Sequence, residues 1–322
     1  MGTELTVTGA RDVVGGVAIP ALVEEWAAHM ARRVAAGEIA EATRTTYLRG
    51  MRRFSDWLDT QNVPFVDGDT LLLWKAGLLE EHKPTGANVF FAGVRAFFRW
   101  AKAHRGLLND PTEGIRGATR RNSRRHVRSA LTDAEVLRVL AQPDTSNIVG
   151  VRDRAMLLLL AYVGLRSIEV QRARIADLRS DGMLKLWVHG KGHGSADEFV
   201  FLINTDLVGA MYDWLAEHPR GDDLAAPLFC GVGNRNTGGP LSMQAIRKIV
   251  KAYYRAAGIR DRSKTTHSLR HSLVTNLLAQ GVPIPKIMSV TRHRDPGTLL
   301  GYAHEMQRES DPAEAHVNYG GA

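Results

Sequence analysis

Cysteine is almost absent from the 322-residue chain, where Cys230 stands alone. A single thiol excludes an intrachain disulfide and a cysteine-rich metal cluster, and a reducing cytoplasm is the expected surrounding. Long apolar runs are missing too. The longest, Ala155 to Val163, falls far short of the ~20 residues that cross a bilayer. The opening MGTELTVTGARDVV has neither the basic start nor the apolar stretch of a secretory signal. Neither membrane insertion nor secretion is therefore expected. Repeats and low-complexity tracts are also lacking. What the chain has in excess is positive charge: 42 Lys+Arg against 34 Asp+Glu, a net +8 and a pI near 9.8. A balance of that size points to nucleic acid or another anionic surface.

The 44% apolar and 24% charged composition is that of a globular protein with a sizeable core. The length exceeds what one core usually fills and fits two domains. Residues 1–19 are rich in Gly, Thr and Val without a helical period, and read as a loose arm. Residues 20–112 read as an all-helical domain. In EATRTTYLRGMRRFSDWLDTQ, apolar or aromatic side chains recur at Tyr47, Met51, Phe54, Trp57 and Leu58, and in GANVFFAGVRAFFRWAKAH at Phe90, Val94, Phe97, Phe98 and Ala101. The stretch from Asn109 breaks the period with Pro, Gly and Asn, and residues 113–128, with six arginines between Arg116 and Arg128, read as a basic linker suited to phosphate contact. The second domain, 129–322, restarts with LTDAEV, where Thr132 and Glu135 have capping-box spacing. It continues through a buried helix stopped by Gly164, a helix from about Ser167, and a β-hairpin in which Leu184, Leu186 and Val188 alternate with polar or bulky residues before the chain resumes at Phe199. After Leu241 the pattern is helical. The expected fold class is mainly α with a small β-sheet, an α+β chain.

The stretch THSLRHSLVTNLLAQG places His267 and His271 four apart, on one helical face. Zinc enzymes with that spacing place a glutamate between the histidines. Here Arg270 intervenes, and its guanidinium would repel a dication, so no metal site is expected. His267 and Arg270, at i and i+3, can instead reach one ligand, and the planar guanidinium matches two phosphate oxygens. Further basic residues stand in short stretches elsewhere: GLRSIE holds Arg166 and Glu169, HGKGHGS lifts Lys191 between glycines, and TRHRDPGTLLGYAH contains His293 and, nine residues on, Tyr302.

These stretches, in this order and spacing, resemble the catalytic domain of the tyrosine recombinases, or phage integrases. The resemblance covers Ser129 to about Ala303, and residues 20–112 are similar in size and position to that family's core-binding domain. It implies Arg166, Lys191, His267, Arg270, His293 and Tyr302 as active-site residues and Glu169 as a support; Arg120, Arg121, Arg124 and Arg125 of the basic linker, with Lys264, are the expected DNA contacts. The resemblance further implies a site-specific DNA recombinase working without metal, cofactor or ATP. Two domains would clamp double-stranded DNA, and a homotetramer would join two duplexes, its free protomers being compatible with a monomer. A cytoplasmic, DNA-associated location follows. A type IB topoisomerase, or a non-catalytic DNA-binding protein on the same fold, is the alternative.

The chemistry of the residues agrees. Breaking and rejoining a strand without hydrolysis requires a covalent link that keeps the phosphodiester's energy, and a tyrosine supplies a reversible nucleophile. Its phenol, with a pKa of ~10, needs help at neutral pH. Fixed cations can take the charge growing on the phosphate, a histidine the phenolic proton, and Lys191 can protonate the departing 5′-oxygen. One departure from the family pattern stands out: Arg292 occupies the place of the glycine that usually precedes the third catalytic histidine. The expectation is a disturbed backbone around His293. The hairpin after Lys191 also lacks the further basic residues common in the family.

Overall fold

The computed structural model describes residues 13–14, 17–61, 63, 66–119, 130–189, 198–233, 236–293, 295–297 and 299–301. The chain divides into two compact units, Met1–Asn122 and Ser123–Ala322, so the division falls inside the stretch expected to be a linker.

The first unit is built on α1 (Ile19–Ala35), α2 (Glu41–Gln61), α3 (Gly68–Glu81) and α4 (Pro84–His104). Sequence periodicity becomes packing directly: Met51, Phe54, Val94, Phe97 and Phe98 are buried with Trp26 and Trp74 in one core. Phe54 lies 4.9 Å from Trp74, centroid to centroid, and Trp26 meets Phe97 edge-on at 5.6 Å, arrangements that suit the ring quadrupoles. The α2–α4 crossing is close because two glycines face backbone: a Cβ on Gly50 would lie 2.3 Å from the Phe90 carbonyl oxygen, and one on Gly93 2.2 Å from that of Tyr47. Asp67 caps α3 by accepting from the Thr70 amide at 2.8 Å, and Pro84 opens α4, where its missing N–H costs nothing.

Two expectations are corrected here. Within the supposed loose arm, most of which lies outside the described residues, β1 (Val13–Val14) pairs antiparallel with β2 (Val17–Ala18). The front of the supposed linker is packed rather than free. Asn88 donates to the Ala118 carbonyl at 2.9 Å and accepts from its amide at 2.7 Å, Lys75 donates to the Arg116 carbonyl at 2.6 Å, and Arg95 donates to that of Ile115.

The second unit comprises α5 (Asp133–Leu140), α6 (Ile148–Tyr162), α7 (Ser167–Arg172), β3 (Leu178–Ser180), β4 (Leu184–Val188), β5 (Glu198–Phe201), α8 (Thr205–Ala216), α9 (Met243–Ala256), α10 (Thr266–Ala279) and α11 (Ile284–Thr291). The capping box forms as the spacing predicts, with Thr132 N–H donating to Glu135 at 2.9 Å and Glu135 N–H to the Thr132 hydroxyl at 3.2 Å. α6 is buried almost all round, so it shows no amphipathic period and lies at the centre of the core. The hairpin β4–β5 pairs Leu186 with Val200, and β3 adds a third antiparallel strand. The sequence reading missed β3, whose three residues are too few for a period-two signal, and it left α8 unassigned. Among the described residues, no helix is long and apolar enough to cross a membrane.

Candidate active site

Gly164 starts the site. It ends α6 with φ +63°, where a side chain would be strained, and a Cβ there would lie 2.9 Å from Leu273 Cδ2. The turn delivers Arg166 to the N-terminus of α7. The Gly164 carbonyl, which no helix bond uses, accepts from Arg270 Nη1 of α10 at 2.6 Å. Ser167 then donates its hydroxyl to Thr266 Oγ1 at 2.9 Å, which ties the first turn of α7 to the first turn of α10.

Around this junction two guanidiniums, those of Arg166 and Arg292, converge on one carboxylate, with a third, Arg270, close by. Glu169, its side chain fully enclosed, accepts from the Arg166 amide and from Arg166 Nη1, both at 2.7 Å. It also accepts from Arg292 Nη2 at 2.7 Å. Burial alone would raise the Glu169 pKa, but the charge of Arg292 and these hydrogen bonds outweigh it and hold the carboxyl below its ordinary value. Arg270 is buried. Besides Gly164 it reaches the Thr291 carbonyl, and desolvation together with the charges of Arg166 and Arg292 presses its pKa down to about 9. It remains charged at neutral pH.

His293 completes the described cluster. Its Nε2 lies 3.4 Å from Arg270 Nη2 and its Nδ1 2.8 Å from the Thr291 hydroxyl. Thr291 Oγ1 itself donates to the Ile287 carbonyl at 2.6 Å, so it is an acceptor towards His293. That assigns the proton to Nδ1 and the lone pair to Nε2. Desolvation, then Arg270, Arg166 and Arg292, push the His293 pKa down to about 4, so the ring is neutral at physiological pH.

Arg292 takes the left-handed conformation, φ 55° and ψ 44°, and is the one non-glycine residue with positive φ among those described. The backbone thus adopts the shape a glycine would give, and the expected disturbance around His293 is not seen: His293 is held at both ring nitrogens. Arg292 is buried, and its carbonyl accepts from Arg166 Nη2 at 3.2 Å.

His267 sits in the first turn of α10, partly exposed, one turn before Arg270; His271, one turn further, is also partly buried. Lys264 does not present its ammonium outward as a DNA contact would. It is buried, donates to the Ala130 carbonyl and lies 4.0 Å from Glu135, because that amine closes the junction between α10 and the chain entering α5. Lys191, Tyr302, Arg120, Arg121, Arg124 and Arg125 lie outside the described residues. Leu299, three positions before Tyr302 in sequence, is buried against Val274 and Ile287.

Sequence reasoning missed one feature outright. One face of α9 buries Ile246, Val250 and Tyr254, and its other side turns Arg247, Lys248, Lys251 and Arg255 towards a groove of about 840 Å³ that Arg260 and Arg262 also line. Cations recurring at three- and four-residue intervals were the available signal. In the first unit a second basic concavity is lined by Arg44, Arg49, Arg52 and Arg53 of α2, with Arg49 and Arg53 5.3 and 5.2 Å above the Phe90 ring.

Among known proteins, the chain is 28% identical to tyrosine recombinase XerD of Pseudomonas putida over 275 residues, 83% of this chain and 87% of that one. In fold it is similar to the XerH site-specific recombinase bound to palindromic difH substrate in a post-cleavage complex, with a TM-score of 0.68, 18% identity, and 84% and 79% of the two chains covered. It is likewise similar to a lambda integrase tetramer bound to a Holliday junction, with a TM-score of 0.64, 17% identity, and 88% and 79% covered. The phage integrase family model matches residues 129–309, more than half of the chain and all of the cluster just described. The chain belongs to the phage integrase family.

Proposed function

We propose that this protein is a site-specific DNA recombinase that breaks and rejoins duplex DNA by transesterification at Tyr302. The observation that carries this reading is the charge of the buried cluster. Arg166, Arg270 and Arg292 face Glu169, the one carboxylate acting on Arg270, which leaves two positive charges uncompensated among the described groups. Arg270 and Arg292 are buried and Arg166 partly so, and charge of one sign held away from water is costly without a partner. A phosphodiester supplies one negative charge, and the pentacoordinate species formed on attack supplies two, so the cluster is matched better to the transition state than to the ground state.

In the proposed reaction the Tyr302 oxygen bonds to phosphorus as the bond to the 5′-oxygen breaks, giving a 3′-phosphotyrosyl link and a 5′-hydroxyl. Arg270 and Arg166 hold the nonbridging oxygens. Neutral His293, with its Nε2 lone pair, can accept a hydrogen bond or the phenolic proton, and His267 supplies a second imidazole one turn from Arg270. Lys191 protonates the departing 5′-oxygen. A 5′-hydroxyl of a partner duplex then attacks the phosphotyrosine and regenerates the phenol. No bond is hydrolysed and the phosphotyrosyl link keeps the phosphodiester's energy, so the proposed step needs no ATP, and the arginines supply the positive charge that a metal ion would otherwise bring.

The basic faces of α9 and α2 would follow the phosphate backbone. Strand exchange between two duplexes calls for four protomers, as in the lambda integrase assembly on a Holliday junction, and a cytoplasmic, DNA-associated location accords with this role. The test is to incubate the protein with fragmented genomic DNA, capture covalent adducts and sequence the attached ends. Adducts at one recurrent sequence, lost in Tyr302→Phe with DNA binding retained, are the expected result. Adducts that persist in that variant, or map to Tyr319, would overturn the assignment.

A further inference from the structure

The residue that departs from the family pattern is also the one that joins the parts of the cluster. Arg292 reaches Glu169 Oε2 through Nη2 at 2.7 Å, which leaves Oε1 to Arg166 Nη1, so the buried carboxylate is divided between two guanidiniums. Nη1 of Arg292 donates to the Val290 carbonyl at 2.7 Å, fixing the side chain over its own turn. Its left-handed backbone aims the 292 carbonyl at Arg166 Nη2, 3.2 Å away. The residue before it, Thr291, supplies one carbonyl to Arg270 and one hydroxyl to His293. A single turn, Thr291-Arg292-His293, thereby collects contacts from α7 and α10. A left-handed conformation outside glycine persists only where the surroundings over-determine it, and here a fully enclosed ion pair with side chains 3% and 0% exposed does so.

We propose that Arg292 is a positioning residue for catalysis: through Glu169 and its own carbonyl it fixes the Arg166 guanidinium, and through its turn it fixes His293, for the scissile phosphate. This rests on the recombinase reading above. A glycine would hold the same backbone shape without strain and keep the carbonyl that accepts from Arg166 Nη2, but it would leave Glu169 with one guanidinium and so loosen the carboxylate that anchors Arg166 Nη1. Among the described residues, the groups facing His293 are Arg270 from α10, Arg166 at the N-terminus of α7, and Thr291 and Arg292 from its own turn, with Glu169 behind the two outer arginines. Removing the Arg292 charge takes away one of the influences that keep the ring neutral.

The test compares Arg292→Gly, Arg292→Lys and wild type, with Tyr302→Phe as control. Covalent adduct formation in a single turnover, DNA affinity and the proton NMR titration of His293 are measured. For Arg292→Gly we expect adduct formation to fall by roughly tenfold or more, DNA affinity to stay within about twofold, and the His293 titration to move to higher pH. These are magnitudes typical of a misplaced catalytic group. Arg292→Lys keeps the charge and loses the fork, so it should restore the titration but only part of the rate. Wild-type rate and titration in Arg292→Gly would overturn the proposal, and so would full activity in Arg292→Lys beside an inactive Gly variant, since that pattern marks charge alone. Should Arg292→Gly fail to fold, the Lys variant decides by the same criteria. If wild type forms no adduct, the recombinase reading fails by itself, and the His293 titration still judges the contact in isolation.

Discussion

Ser167 and Thr266 share a hydrogen bond of 2.9 Å between buried hydroxyls that lie 99 positions apart in the chain. It holds the start of the helix after Arg166 against the start of the helix that carries His267 and Arg270. Two segments without any local relationship thus become one site.

The first prediction follows from that bond. Ser167→Ala leaves the Thr266 hydroxyl without this donor and should lower stability by about 1–2 kcal/mol, read as a lower denaturation midpoint, with slower adduct formation and unchanged DNA affinity. An unaltered midpoint and rate would show that the bond does not hold the two helices together.

Gly164 is a harsher case. At φ +63°, with Leu273 2.9 Å from where a Cβ would sit, Gly164→Ala should cost about 1–3 kcal/mol. It should also shift the carbonyl that anchors Arg270. The fall in cleavage should exceed the fall in DNA binding; equal falls would indicate general unfolding instead.

The pH dependence of stability has a definite sign. Above the ordinary histidine value of 6.5, His293 is neutral in both the folded and unfolded states and contributes nothing. Between 6.5 and about 4 the unfolded chain takes up a proton that the folded site refuses, so acidification favours unfolding across that window. Glu169, whose folded pKa is depressed, further lowers stability below its ordinary carboxylate range. Denaturant midpoints between pH 7 and about pH 4 should therefore fall less steeply for His293→Gln than for wild type, and an identical slope would reject the assignment.

The α9 groove makes a prediction about salt. Replacing Lys251 and Arg255 by Gln should weaken binding to all DNA sequences alike and reduce the slope of log affinity against log salt by ~0.9 for each phosphate no longer neutralised. A slope that does not change would show that these cations face something other than the DNA backbone.

How much of this was readable in the chain differs by element. The helices of the first unit were legible because Met51, Phe54, Val94 and Phe97 repeat with the helical period and face one core. The capping box at Thr132 and the stop at Gly164 were legible because they depend on residues within a few positions of each other. β3 and α8 were not, the first for want of length and the second because nothing local separated it from its surroundings. Arg166, Glu169, His267, Arg270 and His293 could be singled out by type and spacing, yet the position of Lys264 could not be read: it lines the α9 groove while its ammonium turns to a carbonyl 134 positions away, and that depends on packing that no local pattern encodes.

Arg292 shows the limit most sharply. Alone, the sequence established the charge balance and the helical periods, and it pointed to a two-part organisation and to residue types able to grip a phosphate, since each of these is a local or additive property of the chain. Only the tertiary structure decided that a residue that looked like a disturbance becomes the partner of Glu169, across 123 positions. A buried carboxylate is stable only when its surroundings supply enough donors and positive charge. Those surroundings come into being when α7, α10 and the turn after α11 meet.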